Sequence, residues 1–462
     1  MSTAGLRSAV ERMRADGSTD EAIGVFSRFY RQLDEGASGL IPEASIEALR
    51  DLPKVADLSP SVDRQRAALA RTAVIKLNGG LGTSMGMDRA KSLLTVKQGH
   101  TFLDIIARQV LALRRKHDVA LPLVFMNSFR TQDDTRAALA KYAELATAEI
   151  APDFLQSREP KLRADDLSPV EWPADPELEW CPPGHGDLYP ALRSSGLLQA
   201  LTSAGYRYAF CSNSDNLGAV VDPRIAGWMA ENSVPFVMES CRRTAADRKG
   251  GHLARRRADG QLILRETAQT SEEDIDSLQD LSRHAYCNTN NVWLDLDALS
   301  AALTRTDGDL GLPLIRNAKT VDPSDPASAK VIQIESAMGA AIETFAGAQS
   351  VEVGRDRFVP VKTTNDLLVL RSDVYELDED FRLITSGARR GQDDPLVDLD
   401  PAYFKLVPGF ERRFANGAPS LIDSDRLIVK GDVTFGAGVK VMGSAAVTAA
   451  EPITIPDGTV LD

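Results

Sequence analysis

A cluster of glycines directly after an apolar run is the first place in this chain where residue types and spacing suggest chemistry: Leu77-Asn78-Gly79-Gly80-Leu81-Gly82-Thr83-Ser84-Met85-Gly86. Glycines reach positive φ and let backbone N–H groups come close to a ligand, so such a loop can cradle an anion or a nucleobase. It is not a Walker A loop, because no Gly-Lys-Ser/Thr follows at the required spacing. It is not a GxGxxG fingerprint either: counted from Gly80, the third glycine position holds Met85. A tight strand-to-helix turn with no ligand has the same signature. Lys91, nine residues past Gly82 and followed by Ser92, could act as a point charge on phosphate oxygens. Two further loops carry functional groups in turn-like company. Ser212-Asn213-Ser214-Asp215-Asn216 is also what an ordinary polar turn looks like, and Pro182-Pro183-Gly184-His185-Gly186-Asp187 places a histidine among glycines. Lys362 interrupts the extended apolar segment Val359-Pro360-Val361, where a solvent-facing lysine on alternating β structure is the simpler alternative.

The elements around these loops read as alternating strands and helices. Ala73–Leu77, Leu121–Met126, Tyr206–Cys211, Pro235–Ser240 and Leu262–Arg265 have strand character; Phe102 to Leu113 has helical periodicity, and Thr131 is placed to cap a helix running to about Leu145. Alternation of this kind predicts an α/β fold with a covered, mostly parallel sheet, and ligands in such sheets sit beyond the carboxyl ends of the strands. Upstream, Ile23, Phe26, Tyr30 and Leu33 form one face of a helix from Ser18 to Leu33, with Ser18 or Thr19 as cap. Downstream, Val429, Phe435, Val441, Val447 and Ile453 recur every six residues, as do Leu427, Val433, Val439 and Ala445. Two such rows predict a short parallel β-solenoid in preference to a β-meander. The expected division is an N-terminal helical segment over 1–65, a catalytic domain over 66–385 and a solenoid over 386–462.

Composition narrows the function classes. The 462 residues are 43% hydrophobic and 26% charged, which is ordinary globular usage. With 53 Lys plus Arg against 66 Asp plus Glu, the formal net charge is −13, so neither a nucleic-acid partner nor a membrane partner is expected, and a phosphate ligand needs a local positive field. Cys181, Cys211, Cys241 and Cys287 form no CxxC pair and are expected to be reduced thiols. No apolar run approaches the ~18 residues of a membrane span, and the first residues lack an apolar signal core. The expected location is cytoplasmic.

Taken together, the strings resemble the eukaryotic-type UTP–glucose-1-phosphate uridylyltransferases (UDP-glucose pyrophosphorylases). The glycine loop with Lys91-Ser92 resembles the family's nucleotide loop. In order there follow Pro122–Phe129, Gln156-Ser157-Arg158, Pro182–Asp187, Ser212–Asn216, Lys249-Gly250-Gly251, Asn288-Thr289-Asn290-Asn291, Pro360–Thr364 and Gly431–Gly436. The likeness covers nearly the whole chain after residue 20. It departs at Arg89-Ala90, where the family commonly has Gly-Pro, and at His252, where a small polar residue is usual. The chain also lacks the longer tail of animal homologues, which leaves any oligomer built through that tail in doubt; a homo-oligomer of another kind stays possible.

The resemblance implies a Rossmann-like mixed-sheet nucleotidyltransferase core (glycosyltransferase-A-like) with a helical appendage and a left-handed parallel β-helix. It implies that UTP and α-D-glucose 1-phosphate are converted to UDP-glucose and pyrophosphate by Mg2+-assisted in-line attack on the α-phosphorus. The sugar phosphate is already ionised, so no general base is needed, and the site should hold cations and a metal. On this reading Asp215 is the Mg2+ ligand, since magnesium takes one or two carboxylates plus phosphate oxygens and water. Lys91 and Lys362 are the catalytic phosphate cations. Leu77, Asn78, Gly79, Gly80, Asn213, Ser214 and Gly184 contact the nucleotide, and Gln156 reads the uracil edge. His185 donates to the sugar phosphate and Asn290 meets sugar hydroxyls; Asn216 and Glu335 are weaker sugar-site candidates. The alternative within the family is a UDP-sugar or UDP-N-acetylhexosamine pyrophosphorylase acting on a different sugar 1-phosphate. Two more distant rivals are a nicotinamide-dependent oxidoreductase, against which Met85 speaks, and a non-catalytic nucleotide-binding scaffold.

Overall fold

The structure is a computed structural model and describes residues 2–147, 149–244, 247–248, 250–323 and 325–462. Among these, a ten-stranded mixed sheet forms the centre. Four strands run parallel in the order Tyr208–Asn213, Thr72–Asn78, Leu123–Asn127, Asp153–Leu155, with Val74 opposite Phe210 on one side and Leu123 on the other. Tyr286–Asp295 continues the sheet antiparallel to Tyr208–Asn213 and also pairs antiparallel with Phe236–Arg242. The core strands are buried almost throughout, as expected for strands covered on both faces. Phe102, Ile105, Ile106 and Val110 of the Phe102–His117 helix pack on one face; Leu188, Leu192, Leu198 and Leu201 pack on the other. Of the strands read from the sequence, Leu262–Arg265 keeps its bounds and the other four shift by one or two residues at their ends. The helix expected to run from Thr131 to about Leu145 stops at Leu139, and the Thr131 hydroxyl accepts from the Ser128 N–H instead of capping it.

The N-terminal segment carries two helices, Ser2–Ala15 and Asp20–Asp34. Thr19 caps the second, accepting from the Ala22 N–H at 3.3 Å. The first helix escaped the sequence reading because its apolar face is sparse; Ala9 and Met13 are its deeply buried residues. The segment expected to be a helical appendage also contributes an edge strand, Ile46–Ala48, which pairs with His252–Arg256. Three residues are too few to show a period, and burial of Ile46 beside Ala254 and Ile263 decides the pairing.

At the other end, parallel rungs stack. Leu427 lies opposite Ala445, a separation of 18 residues, which three sides of six residues produce. The next turn is longer, since Val433 lies opposite Ile453, 20 residues on. The row expected to end at Ile453 therefore slips by two, leaving Ile453 exposed and Ile455 buried against Phe435. Phe404, Phe410, Phe414 and Phe435 belong to the same hydrophobic cluster as Val74 and Phe102, so the rungs sit directly on the core of the central sheet.

The two departures from the family's strings have local explanations. The Ala90 N–H donates to Asp134 at 3.1 Å, a bond a proline there could not make. His252 is fully buried and stacks on His284, ring centroids 3.7 Å apart, while His284 meets Glu43 at 2.9 Å.

Candidate active site

Three of the loops singled out above leave the carboxyl ends of parallel strands of one sheet: Gly79 onward and Ser214 onward from neighbouring strands, and Gln156 onward from the strand beyond Leu123–Asn127. Their first residues are tied together. Ser214 N–H donates to the Leu77 carbonyl at 3.0 Å, and Ser214 Oγ to Asn78 Oδ1 at 2.9 Å. Asn78 Nδ2 reaches Asn127 Oδ1 and Thr135 Oγ1, both at 2.8 Å. The side chains of Asn78 and Ser214 are thus taken up in joining strand ends. Gly79 follows with space for no side chain: a Cβ there would sit 2.6 Å from Gln156 Nε2. Gln156 therefore lies flat over the start of the glycine loop. Gly82 and Gly86 adopt φ of 67° and 73°, which turn the loop back so that Lys91 N–H donates to the Gly80 carbonyl at 3.0 Å.

That return brings Lys91 to Asp215. Nζ donates to Asp215 Oδ2 at 2.7 Å and to the Val361 carbonyl. The Val361 N–H donates in turn to the Asp215 carbonyl at 3.2 Å, so Lys362 stands one residue from the pair. The Lys91 ammonium, the Asp215 carboxylate and the backbone just before Lys362 thus meet, although the chain between them runs over 270 residues. Asp215 Oδ1 is buried and has no hydrogen-bond partner. A carboxylate oxygen left so costs free energy unless something positive meets it, and a single carboxylate facing a polyphosphate fits a magnesium ion held chiefly by phosphate and water. The described residues contain no cluster of three or more His, Cys, Asp or Glu able to hold a metal alone. Lys362 is exposed, just before the helix Thr364–Arg371, and its N–H donates to Asp366 at 2.8 Å. Its charge acts on Glu266, whose carboxyl burial pushes up and Lys362 pulls down. A Cβ on Gly251 would fall 2.5 Å from Glu266 Oε2. The neighbouring Lys249 lies outside the described residues.

The third wall carries His185 and Asn290. His185 Nδ1 accepts from the Met338 N–H at 2.8 Å, which leaves Nε2 as the N–H donor. Burial pulls its pKa to about 4, so the ring is neutral at physiological pH. Gly184 has φ of 77°, and a Cβ there would meet the Ser336 carbonyl at 2.5 Å and Glu335 Cβ at 3.1 Å; close backbone approach is what this glycine serves. Asp187 accepts from Ser157 N–H at 2.6 Å, joining the histidine loop to the Gln156 loop. Asn290 sits at φ 59° in a bulge of its strand, where Glu239 pairs with Asn291 and the next residue, Ser240, with Asn288. From there Asn290 Nδ2 donates to Asn213 Oδ1 at 3.0 Å. Asn216 is buried and bonded to Arg357 and Val359, a joint and not a ligand group.

The loops therefore bring together Gly79, Gln156, Lys91, Asp215 and Lys362, with His185 and Asn290 joined to them through Asp187–Ser157 and through Asn213. Sequence reading missed Glu266, since an acidic residue at a strand end between Arg265 and Thr267 carries no signal. Asn288, quoted only as part of the string Asn288–Asn291, donates to Asn290 Oδ1 at 3.3 Å. A cavity of about 690 Å3 lined by Leu40, Pro42, Arg256, Arg257, Ile263 and Glu343 contains none of the expected site residues.

Comparison with known proteins agrees with this geometry. The family model described as UTP–glucose-1-phosphate uridylyltransferase matches residues 24–442. The enzyme of that name from Hordeum vulgare is 38% identical over 99% of this chain and 95% of its own length; that from Saccharomyces cerevisiae is 41% identical over 85% and 77%. Among solved structures, the UDP-glucose phosphorylase of Trypanosoma brucei has a TM-score of 0.93 at 44% identity, covering 99% of this chain and 98% of that one. A Leishmania major UDP-glucose pyrophosphorylase in complex with UDP-glucose has a TM-score of 0.93 at 42% identity, with the same coverage. Sequence, topology and the convergence of the glycine loop, Lys91, Asp215 and Lys362 agree, and the chain belongs to the UTP–glucose-1-phosphate uridylyltransferase family.

Proposed function

We infer that this chain transfers the uridylyl group of UTP to α-D-glucose 1-phosphate, giving UDP-glucose and pyrophosphate. The observation that carries this reading is the meeting of Lys91, Asp215 and the Lys362 segment beside a glycine loop at the carboxyl ends of parallel strands. The amides of Gly79 and Gly80 and the Gln156 amide receive the nucleotide, Gln156 both donating to and accepting from the uracil edge. Lys91, now paired with Asp215, exchanges that partner for phosphate oxygens, and Lys362 approaches from the turn that follows Val361 and precedes the helix Thr364–Arg371. His185 offers its Nε2–H to the sugar phosphate as a neutral donor, and Asn290 faces the sugar. The sugar phosphate oxygen attacks the α-phosphorus in line as the bond to pyrophosphate breaks. Both lysines stabilise charge that develops on the transferring group.

Asp215, through its unpartnered Oδ1, would hold Mg2+, which supplies charge neutralisation on the phosphate oxygens. Asp215→Asn keeps the shape and the contact with Lys91 but removes the charge. The expected result is a loss of about 10²–10³ in kcat and a rise in the magnesium concentration needed for half-maximal rate. An unchanged magnesium requirement would remove Asp215 from that role. The proposed unit for catalysis is 66–385, flanked by the helical segment and the rungs. No helix among the described residues is long and apolar enough to cross a membrane; with four buried free thiols, a cytoplasmic location is the reading we favour. The test of the whole reading is pyrophosphate release from UTP and magnesium with glucose 1-phosphate, galactose 1-phosphate or N-acetylglucosamine 1-phosphate, and with TTP in place of UTP. Preference for a sugar other than glucose would move the chain to a sister activity.

A further inference from the structure

Below the site lies a buried ion pair that no substrate can touch. Glu239 is fully buried in the strand Phe236–Arg242, and Arg357 is nearly so. Both carboxylate oxygens of Glu239 are fully engaged. Oε1 accepts from Arg357 Nη2 at 2.6 Å and Trp293 Nε1 at 2.9 Å; Oε2 accepts from Arg357 Nε at 2.8 Å and Asn291 Nδ2 at 3.0 Å. Burying such a pair costs desolvation that a matched apolar pair avoids, so stability alone does not explain it.

What the pair does have is one bond to each wall of the site. Arg357 Nη2 donates to the Val220 carbonyl at 2.8 Å, and the Arg357 carbonyl accepts from Asn216 at 3.1 Å and Asn291 at 3.3 Å. Asn216 follows Asp215, and its Oδ1 accepts from the Val359 N–H at 2.9 Å. Asn291 follows Asn290, and the Glu239 carbonyl accepts from Thr289 Oγ1 at 2.7 Å inside the same bulge. Backbone contact is equally close: a Cβ on Gly218 would fall 2.2 Å from the Asp356 carbonyl. The loop bearing Asp215 thus meets Arg357 through the arginine's main-chain carbonyl and through Val220, the bulge bearing Asn290 meets both residues through Asn291, and the segment bearing Lys362 continues from Arg357 itself.

We propose that Glu239 and Arg357 are positioning residues for uridylyl transfer, fixing Lys362 and Asn290 relative to Asp215 through Arg357, Asn216 and Asn291. This rests on the roles given above to Asp215 and Lys362. A bidentate pair suits the task because the planar guanidinium fixes direction as well as distance, and misplacement of a reacting group by about 1 Å can cost 10²-fold in rate.

The test is a mutant cycle between Glu239→Gln and Lys362→Ala, read as kcat, KM for both substrates and Tm. Glu239→Gln keeps the side-chain shape and lowers kcat by about 10–100-fold with KM changed less than threefold. In the Lys362→Ala background the same change lowers kcat by at least about threefold less than in the parent, because one of the two groups it positions is gone. A purely structural role would lower Tm and give the same loss in both backgrounds, and that result overturns the proposal. So does a folded Glu239→Gln variant with parental kcat. Parental kcat in Lys362→Ala alone would instead sink the reading of the site, and this inference with it. Where Glu239→Gln is recovered unfolded, Asn216→Ser cuts the same link from the loop side and is judged by the same cycle.

Discussion

Lys362→Ala separates chemistry from stability more cleanly than any other change in this site. The side chain is exposed, and the bond its residue makes to Asp366 at 2.8 Å comes from the backbone N–H, which alanine retains. The helix behind it keeps its capping box of Thr363 and Asp366. A cation just before a helix N-terminus is mildly unfavourable, so removing it should change folding stability by no more than about 0.5 kcal/mol. The catalytic loss is of another size. One ammonium about 4 Å from a phosphate oxygen, at an effective dielectric constant near 20, interacts by about 4 kcal/mol. Losing one preorganised donor typically costs about 2.7–4 kcal/mol, or 10²–10³ in rate. The expected outcome is a folded protein with parental Tm whose kcat falls by about 10²–10³ while KM for UTP moves far less. Lys362→Arg keeps the charge but replaces a compact ammonium with a planar fork, and should recover part of the rate. The assay is pyrophosphate release under saturating UTP, glucose 1-phosphate and magnesium, beside a thermal melt. A Lys362→Ala variant that melts like the parent and turns over at the parental rate would refute the reasoning.

Three further outcomes are expected. Gly79→Ala drives a methyl into the Gln156 amide, whose side chain can swing aside, so KM for UTP should rise about tenfold from lost hydrogen bonds with Tm little changed; an unaltered KM would take Gln156 off the uracil. Gly184→Ala meets the Ser336 backbone at 2.5 Å with φ at 77°, and should destabilise by about 2–4 kcal/mol in denaturant unfolding, an effect that a relaxed loop would not show. His185 has its pKa pulled from 6.5 to about 4, so its contribution to stability is complete above pH 6.5 and is lost as pH falls toward 4; Asp187, raised to about 7, acts oppositely, gaining as pH falls. The parent-minus-His185→Gln difference in unfolding free energy should therefore shrink on acidification through that window, by up to about 1.4 kcal/mol per pH unit, and a flat difference would mean the ring is not held neutral.

Much of this site could be read without coordinates because its chemistry is local. The glycines at 79, 80, 82 and 86, the polar run after Cys211 and the histidine between Gly184 and Gly186 each advertise a loop, and the first two follow apolar strands that hydrophobic periodicity reveals. The six-residue rows likewise exposed the stacked rungs, because burial repeats wherever the backbone repeats. The rungs failed at Ile453 because the turn before it is two residues longer, and length changes in a turn leave no apolar mark.

Tertiary structure alone decided the rest. Nothing near Lys91 in the chain announces Asp215, 124 positions away, and nothing near Glu239 announces Arg357, 118 positions on. A buried charge is tolerated only when its partner arrives from elsewhere in the fold, so the partner's identity is settled by strand order and register. The sequence names which groups can act on a phosphate. The parallel order of three strands and one bulge in a fourth bring them to one place.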